Sequence, residues 1–525
     1  MSTELTNHAN NLAASITSRR QRLILSIIVF TQLLVWLDNT ILAIALQVLS
    51  EPGKGLAATP GELQWAVSSY TVVFAALLFT GGALGDRLGH RTTMLAGLVI
   101  FGASSVLAAY SPSAIVLIIA RVIMGAGSAL IMPATLAVIA WTYADLKERA
   151  AAIGVWSASS GVAIALGPLL GGALLGAFWW GSIFLINVPI VLLSIVGVVL
   201  YVPAFRSPMQ RRFDWYGVVL STAGLVALVY GVIQGGNSAG WLQVDVLVPI
   251  GCGVLLLALF AVVELRIAHA SFDLRLLRTP QFLGGGLGVM FVFFGVTGQL
   301  FYSNFYLQGV RGYSPFITGL SFLPNAVFLT LTATFSGRIV RRFSVRSVAV
   351  TGLTITAITF AAYSLFGLTT PIIWYEVLMA AQGFGIGMIV GPLTAASTAT
   401  VPKERSGAGS ALITAMRQVG GALGVAILGS ILIMTYRHQI TPSLRALPSA
   451  QRTQAAVSPA DTRQVAGLLH GSDLIANANH AYLHAMHVTS AWGAVVTALG
   501  AVAVLIFFRR LSTQPRRPTA VAQAD

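Results

Sequence analysis

The chain has 525 residues, 56% hydrophobic and only 9% charged, whereas an average soluble domain carries roughly 25% charged residues. That composition cannot cover a water-facing surface of this size, which excludes a soluble enzyme. The formal net charge of +15 would point to nucleic acid in a soluble protein, but the positions of the charges decide otherwise, as follows.

Residues 1–22 are polar, end in Arg19, Arg20 and Arg22, and read as a tail. The apolar run 23–49 is too long for a signal-peptide core of about 7–15 residues, so it reads as the first membrane span. Further segments able to cross about 30 Å of hydrocarbon fall at 63–84, 92–110, 113–137, 150–176, 183–203, 215–234 and 245–265. The remaining ones fall at 281–308, 315–337, 347–368, 372–397, 406–436 and 488–508, which makes fourteen. Runs such as Ala114–Ala134 do not alternate in polarity, so the spans are helices rather than barrel strands. Cys252 is the single cysteine, which leaves no intramolecular disulfide and no cysteine-based metal site. With an even number of spans both termini share one side. That side holds twenty-three of the Lys and Arg residues, the opposite side six, and two (Arg121 and Arg417) lie within spans. The positive-inside rule then makes the termini cytoplasmic and accounts for the basic charge without nucleic acid. The outer segment 437–487 carries five histidines (His438, His470, His480, His484 and His487). It is expected to be a partly helical, solvated surface loop, a metal or pH-sensing site among the histidines being the alternative.

An internal repeat divides the chain. Gly82–Arg91 reads GALGDRLGHR and Gly337–Arg346 reads GRIVRRFSVR, so Gly82, Arg87 and Arg91 recur as Gly337, Arg342 and Arg346 at a constant offset of 255. Both stretches fall between the second and third span of a six-span unit, and parallel repeats of this kind mark transporters. The expected domains are the tail 1–22, a six-helix bundle 23–203, two inserted helices with linkers 204–280, a second six-helix bundle 281–508 and a tail 509–525.

The sequence resembles the major facilitator superfamily, and more closely its fourteen-span drug:proton antiporters of the EmrB/QacA type. The stretches that carry the resemblance are Leu37–Leu46 in the first span, Gly82–Arg91, Ala120–Ala134 in the fourth span, Gly161–Gly172 in the fifth, FLINVPI in the sixth and Arg417–Ser430 in the thirteenth. Ala43, Gln47 and Met124 depart from the usual pattern. The resemblance implies an all-α polytopic membrane protein with the major facilitator fold. It also implies a proton-coupled exporter in the plasma membrane with an amphipathic small-molecule substrate, protons as the coupling ion and no cofactor. We further expect a monomer in the lipid bilayer. A specific transporter of one metabolite or nutrient is the alternative, and a non-transporting membrane sensor a third reading.

An ionised side chain in lipid is costly and defaults to function. Asp38 and Arg121 lie at similar depths, roughly 16 and 12 Å from the outer ends of their spans at 1.5 Å per residue. They can therefore pair, and family resemblance links such a pair to proton coupling. A cationic drug and a proton would then compete for the Asp38 carboxylate. Gly82, Asp86, Arg87 and Arg91 are candidates for a charge relay that locks the cytoplasmic face, the bland reading being a basic loop. Gly161, Gly167, Pro168, Gly171 and Gly172 form the antiporter stretch. There Pro168 would bend the helix, and the pairs Gly167/Gly171 and Gly420/Gly424 suit close packing. Arg417 and Trp36 are candidates for substrate contact or structure. Trp36, Phe291, Phe293 and Phe294 can line an apolar pocket or face lipid. Glu376 suits an interfacial position, and Glu264 is given no role.

Overall fold

The structure is a computed structural model that describes residues 18–143, 145–205, 214–237, 241–267, 274–401, 406–469 and 472–508. The tails 1–17 and 509–525, and His470, lie outside the described residues. Apolar sequence with internally bonded backbone gives a bundle of long helices. In chain order they are α1 (Ser18–Ser50), α2 (Pro60–Leu88), α3 (His90–Ala109), α4 (Ala114–Thr142), α5 (Leu146–Ala177), α6 (Ser182–Tyr201), α7 (Trp215–Asn237) and α8 (Val244–Arg266). There follow α9 (Pro280–Val310), α10 (Pro315–Phe343), α11 (Val345–Leu365), α12 (Ile372–Thr398), α13 (Ser406–Ile440), the short α14 (Ser449–Ala455) and α15 (Pro459–Leu469), and α16 (Ser472–Phe507). Thirteen of these are long and apolar enough to cross a membrane among the described residues. The other long helix is α5, of which Leu166–Ala177 is a shorter apolar stretch.

Several boundaries follow from local chemistry. Thr59 caps α2 in a reciprocal arrangement with Glu62 ahead of Pro60, which satisfies two otherwise unpaired amides. Ser113 and Ser314 cap α4 and α10 one way, their hydroxyls accepting from the amides of Val116 and Ile317. α6 is interrupted at Ile186, and α10 turns at Phe322 just ahead of Pro324.

The repeat is visible in three dimensions. Gly89, between α2 and α3, has φ +97°, and Ser344, at the offset position between α10 and α11, has φ +80°. Arg91 donates to the Val199 carbonyl of α6 at 2.6 Å, and Arg346 donates to the Leu505 carbonyl of α16 at 2.8 Å. Each copy thus ties its third helix to the end of its sixth. Gly97 packs on Gly127 in the first copy and Gly352 on Gly385 in the second. Only small residues permit backbones this close.

The expectation about the last span is corrected, and that about 437–487 is refined. The last helix begins at Ser472 rather than near 488. Segment 437–487 is partly helical with an exposed outer surface, as expected, but it is also packed on the bundle rather than looped free of it. Leu444, Ala455, Val465, Ala478 and Tyr482 are buried in one apolar cluster with Tyr302, Tyr306 and Tyr436. The segment therefore forms a packed helical cap on the face opposite Ser18 and Phe508, called the far face below.

Candidate functional site

Asp38 on α1 and Arg121 on α4 form an ion pair, Nη1 to Oδ2 at 2.5 Å, with both side chains at most 1% exposed. Asn187 on α6 donates to the second carboxylate oxygen at 3.0 Å and lies 3.4 Å from Ser105 Oγ. Arg121 also donates through Nε to the Ala66 carbonyl at 3.0 Å, and its guanidinium lies 4.4 Å from the centre of the Tyr70 ring. Tyr70 in turn bonds Ser128 at 2.8 Å. The carboxylate is thus held by one cation and one amide, and the cation by one carboxylate, one carbonyl and one aromatic face. A buried pair persists when its remaining hydrogen-bonding capacity is filled in this way. Asn187 was not singled out from the sequence. Its signal was a single amide in the apolar stretch FLINVPI, placed by the break at Ile186.

A cavity of about 60 Å³ lies between the two six-helix halves. It is lined by Trp36, Asn39 and Thr40 of α1, Phe293 and Phe301 of α9, Asn325 of α10, and Arg417 and Gln418 of α13, among others. Trp36 and Thr40 lie two residues before and after Asp38, about 200° around the helix, so the cavity and the ion pair occupy opposite faces of α1. Direct competition between cargo and proton for Asp38 therefore does not fit this geometry, since the carboxylate is sealed from the cavity by its own helix. Of the aromatic candidates, Trp36 and Phe293 line the cavity, whereas Phe294 is buried against Gly424 of α13. The Arg417 guanidinium carbon sits 3.8 Å from the centre of the Trp36 ring and 4.0 Å from that of Phe293, stacked between the halves.

The glycine-rich stretches work as packing surfaces. Gly167 and Gly171 abut Thr40 and Ile41 of α1, and Gly172 abuts the backbone of Pro315 and Phe316 in α10. Gly319 of α10 rests on the Pro168 carbonyl, so the proline-containing stretch of α5 joins the halves. Gly161 is on α5, and its surroundings lie outside the described residues. Gly420 and Gly424 pack on the backbones of Met290 and Phe294.

The loop residues take other partners than each other. Asp86 near the end of α2 faces His90 at the start of α3 at 3.4 Å, and Arg91 bonds Val199 as described. Arg87 is exposed, and Gly82 lies near Pro133 with room to spare. The expected relay among Asp86, Arg87 and Arg91 is thus not formed in this conformation, because the tight turn at Gly89 between α2 and α3 brings His90 within reach of Asp86 first.

The residue-specific bridges between the halves gather from mid-bundle toward the far face. Gln308 donates to the Ile44 carbonyl at 2.9 Å, and Gly429 packs on Gln64. Arg463 of the cap donates to the Gly309 carbonyl at 2.8 Å, beside Gln47. Burial pushes the Arg463 guanidinium below its usual value, with Tyr436, Tyr482 and Glu51 opposing the shift. Burial likewise raises the Asp461 carboxyl, against a hydrogen bond from Ser458. Toward the other face, Ile153 and Val155 of α5 and Leu331 and Phe335 of α10 are exposed.

Two pseudo-equivalent six-helix units, closed against each other at one end around a central cavity, define a polytopic secondary transporter of the alternating-access class. The chain belongs to the Major Facilitator Superfamily, whose family profile matches residues 28–425. It is 33% identical over 499 residues to the multidrug efflux pump LfrA of Mycolicibacterium smegmatis, covering 94% of this chain and 97% of that protein. It is 33% identical over 479 residues to the methyl viologen resistance protein SmvA of Salmonella typhimurium, covering 90% and 95%. Identity to the tetracenomycin C resistance and export protein of Streptomyces glaucescens is 31% over 503 residues, covering 93% and 91%. Among solved structures, a bacterial homologue of the human lysosomal transporter Spinster superposes with a TM-score of 0.65 at 17% identity, covering 94% of this chain and 97% of that one.

Proposed function

We propose that the protein is a proton-coupled antiporter that exports amphipathic drugs, antibiotics or other toxic small molecules across the plasma membrane, with both termini cytoplasmic. The observation that carries this reading is the sealed Asp38–Arg121–Asn187 cluster set back to back with an aromatic cavity on α1. The full-length likeness to named efflux and resistance proteins supports it. The basic bias of the terminal side supports the orientation.

Protonation of Asp38 removes the charge that holds Arg121 and turns one of the two accepting carboxylate oxygens into a donor. The α1–α4–α6 contact then loosens, and α1 carries the change to the cavity on its other face. Because the halves are joined toward the far face, the conformation described here opens toward the cytoplasm. Asp86, Arg87 and Arg91 lie on that side, where they close the cytoplasmic face in the opposite state. The cavity must widen to admit a drug-sized ligand, since pockets of that class enclose about 300–1,000 Å³. The test is dye accumulation in inside-out vesicles, with and without an imposed proton gradient. Gradient-dependent accumulation is expected, and accumulation that ignores the gradient would exclude antiport.

A further inference from the structure

Three hydrogen-bond donors that line the cavity or stack at its wall have no acceptor among the described residues: Trp36 Nε1, Arg417 Nε and Gln418 Nε2. Arg417 forms no ion pair there, and no carboxylate lines the cavity. The Asp38 carboxylate, on the same helix as Trp36, is already held by Arg121 and Asn187 on the opposite face of α1. Trp36 and Phe293 cover the two faces of the guanidinium, so its hydrogen bonds leave through the edge. A stacked guanidinium is well held in this way, yet a buried donor without an acceptor is costly. A site of this kind is completed by a ligand that brings acceptors.

Resting on the exporter reading above, we propose that the cargo is an amphipathic acid. Its planar anionic head, a carboxylate or phenolate on an aromatic body, binds the edge of Arg417 with help from Trp36 Nε1 and Gln418 Nε2. The aromatic body lies along Phe293 and Phe301. Arg417 belongs to the second half and Trp36 to the first, so the head group sits on the seam that must part during transport. A cationic head would meet three donors and a fixed positive charge, and is disfavoured.

The test uses the full-length protein in nanodiscs at pH 7.5 with three fluorescent probes that share one body: dansylglycine (anionic), dansylamide (neutral) and dansylcadaverine (cationic). Wild type is expected to bind dansylglycine at least tenfold more tightly than dansylcadaverine. Arg417→Gln should collapse the ratio of anionic to neutral affinity by about tenfold, with Arg417→Lys between the two. The wild-type ranking needs no variant, so a poorly folding Arg417→Gln does not protect the idea. Saturable binding of all three probes without anion preference, or tighter binding of dansylcadaverine, overturns the acid-cargo assignment alone. If no probe binds saturably, the exporter reading of the cavity fails, and this inference with it.

Discussion

Replacing Asp38 by Asn keeps the shape of the side chain and removes both its charge and its titratable proton. Asp38 accepts from Arg121 and from Asn187 through different oxygens. An asparagine has one acceptor oxygen, so its amide must face one of those donors, at a cost of about 1–3 kcal/mol. The larger effect is the Arg121 cation left without its carboxylate, and removing one partner of a buried pair costs about 3–5 kcal/mol. The functional loss is independent of that sum. One proton crossing 100 mV releases about 2.3 kcal/mol, and one pH unit adds about 1.4 kcal/mol. Together they sustain a gradient of a few hundred-fold for a neutral cargo, for which an uncoupled carrier reaches a ratio of about one. The assay is accumulation of a fluorescent substrate in inside-out proteoliposomes under a fixed proton gradient. Thermal unfolding of the same preparation in detergent, compared with Asp38→Leu/Arg121→Met, completes it. The double variant should regain most of the lost stability and none of the coupling. Undiminished proton-driven accumulation by Asp38→Asn would show that the proton is carried elsewhere, and equal instability of the single and double variants would refute the pair energetics.

Other expectations follow from the same geometry. Ser449 in the cap is exposed, so Ser449→Cys in a Cys252→Ser background should react with an impermeant maleimide added outside intact cells; reaction only from the cytoplasmic side reverses the topology. Gly172→Ala places a methyl against the Pro315 backbone across the seam. Overpacking of this kind costs about 1–3 kcal/mol, and transport should fall at least tenfold; wild-type turnover would mean that α5 and α10 do not need this approach. Arg91→Ala and Arg346→Ala each delete one charge-assisted tie between the third and sixth helices of a half. Both side chains are partly solvated, so each should cost about 1 kcal/mol, read as similar drops in melting temperature. Loss from one and none from the other would break the equivalence of the copies.

The helical class and most spans were legible because lipid imposes one rule on every apolar run of sufficient length. The Asp38–Arg121 pairing was legible from depth alone, since two isolated charges in apolar helices have few other partners. Three features were not. Asn187 carries no charge and looks like any polar residue near a turn. The first turns of α16 contain Asn, His and Ser and read as loop, although Ala478, Ala481, Tyr482 and Ala485 form a buried face at helical spacing. The stacking of Arg417 joins α1, α9 and α13, and no local pattern reveals a contact among three helices so distant in sequence. In this conformation Asp86 takes His90 across the turn at Gly89 rather than the neighbouring arginines, a partner that a reading by charge alone passes over.

The turn shared by the two copies leaves them mechanically unequal. Gly89 adopts its positive φ freely, but Ser344 holds the same backbone shape, φ +80° and ψ 150°, with a side chain attached. That region of conformational space is nearly reserved for glycine, and another residue there stores about 1–3 kcal/mol. The second half therefore carries built-in tension at the joint between α10 and α11 that the first half lacks. Although tied to its sixth helix by the same arginine contact, it is the half that yields first when the molecule is loaded. Ser344→Gly should release that tension and raise the unfolding temperature, while Gly89→Ser should introduce it into the half that now has none.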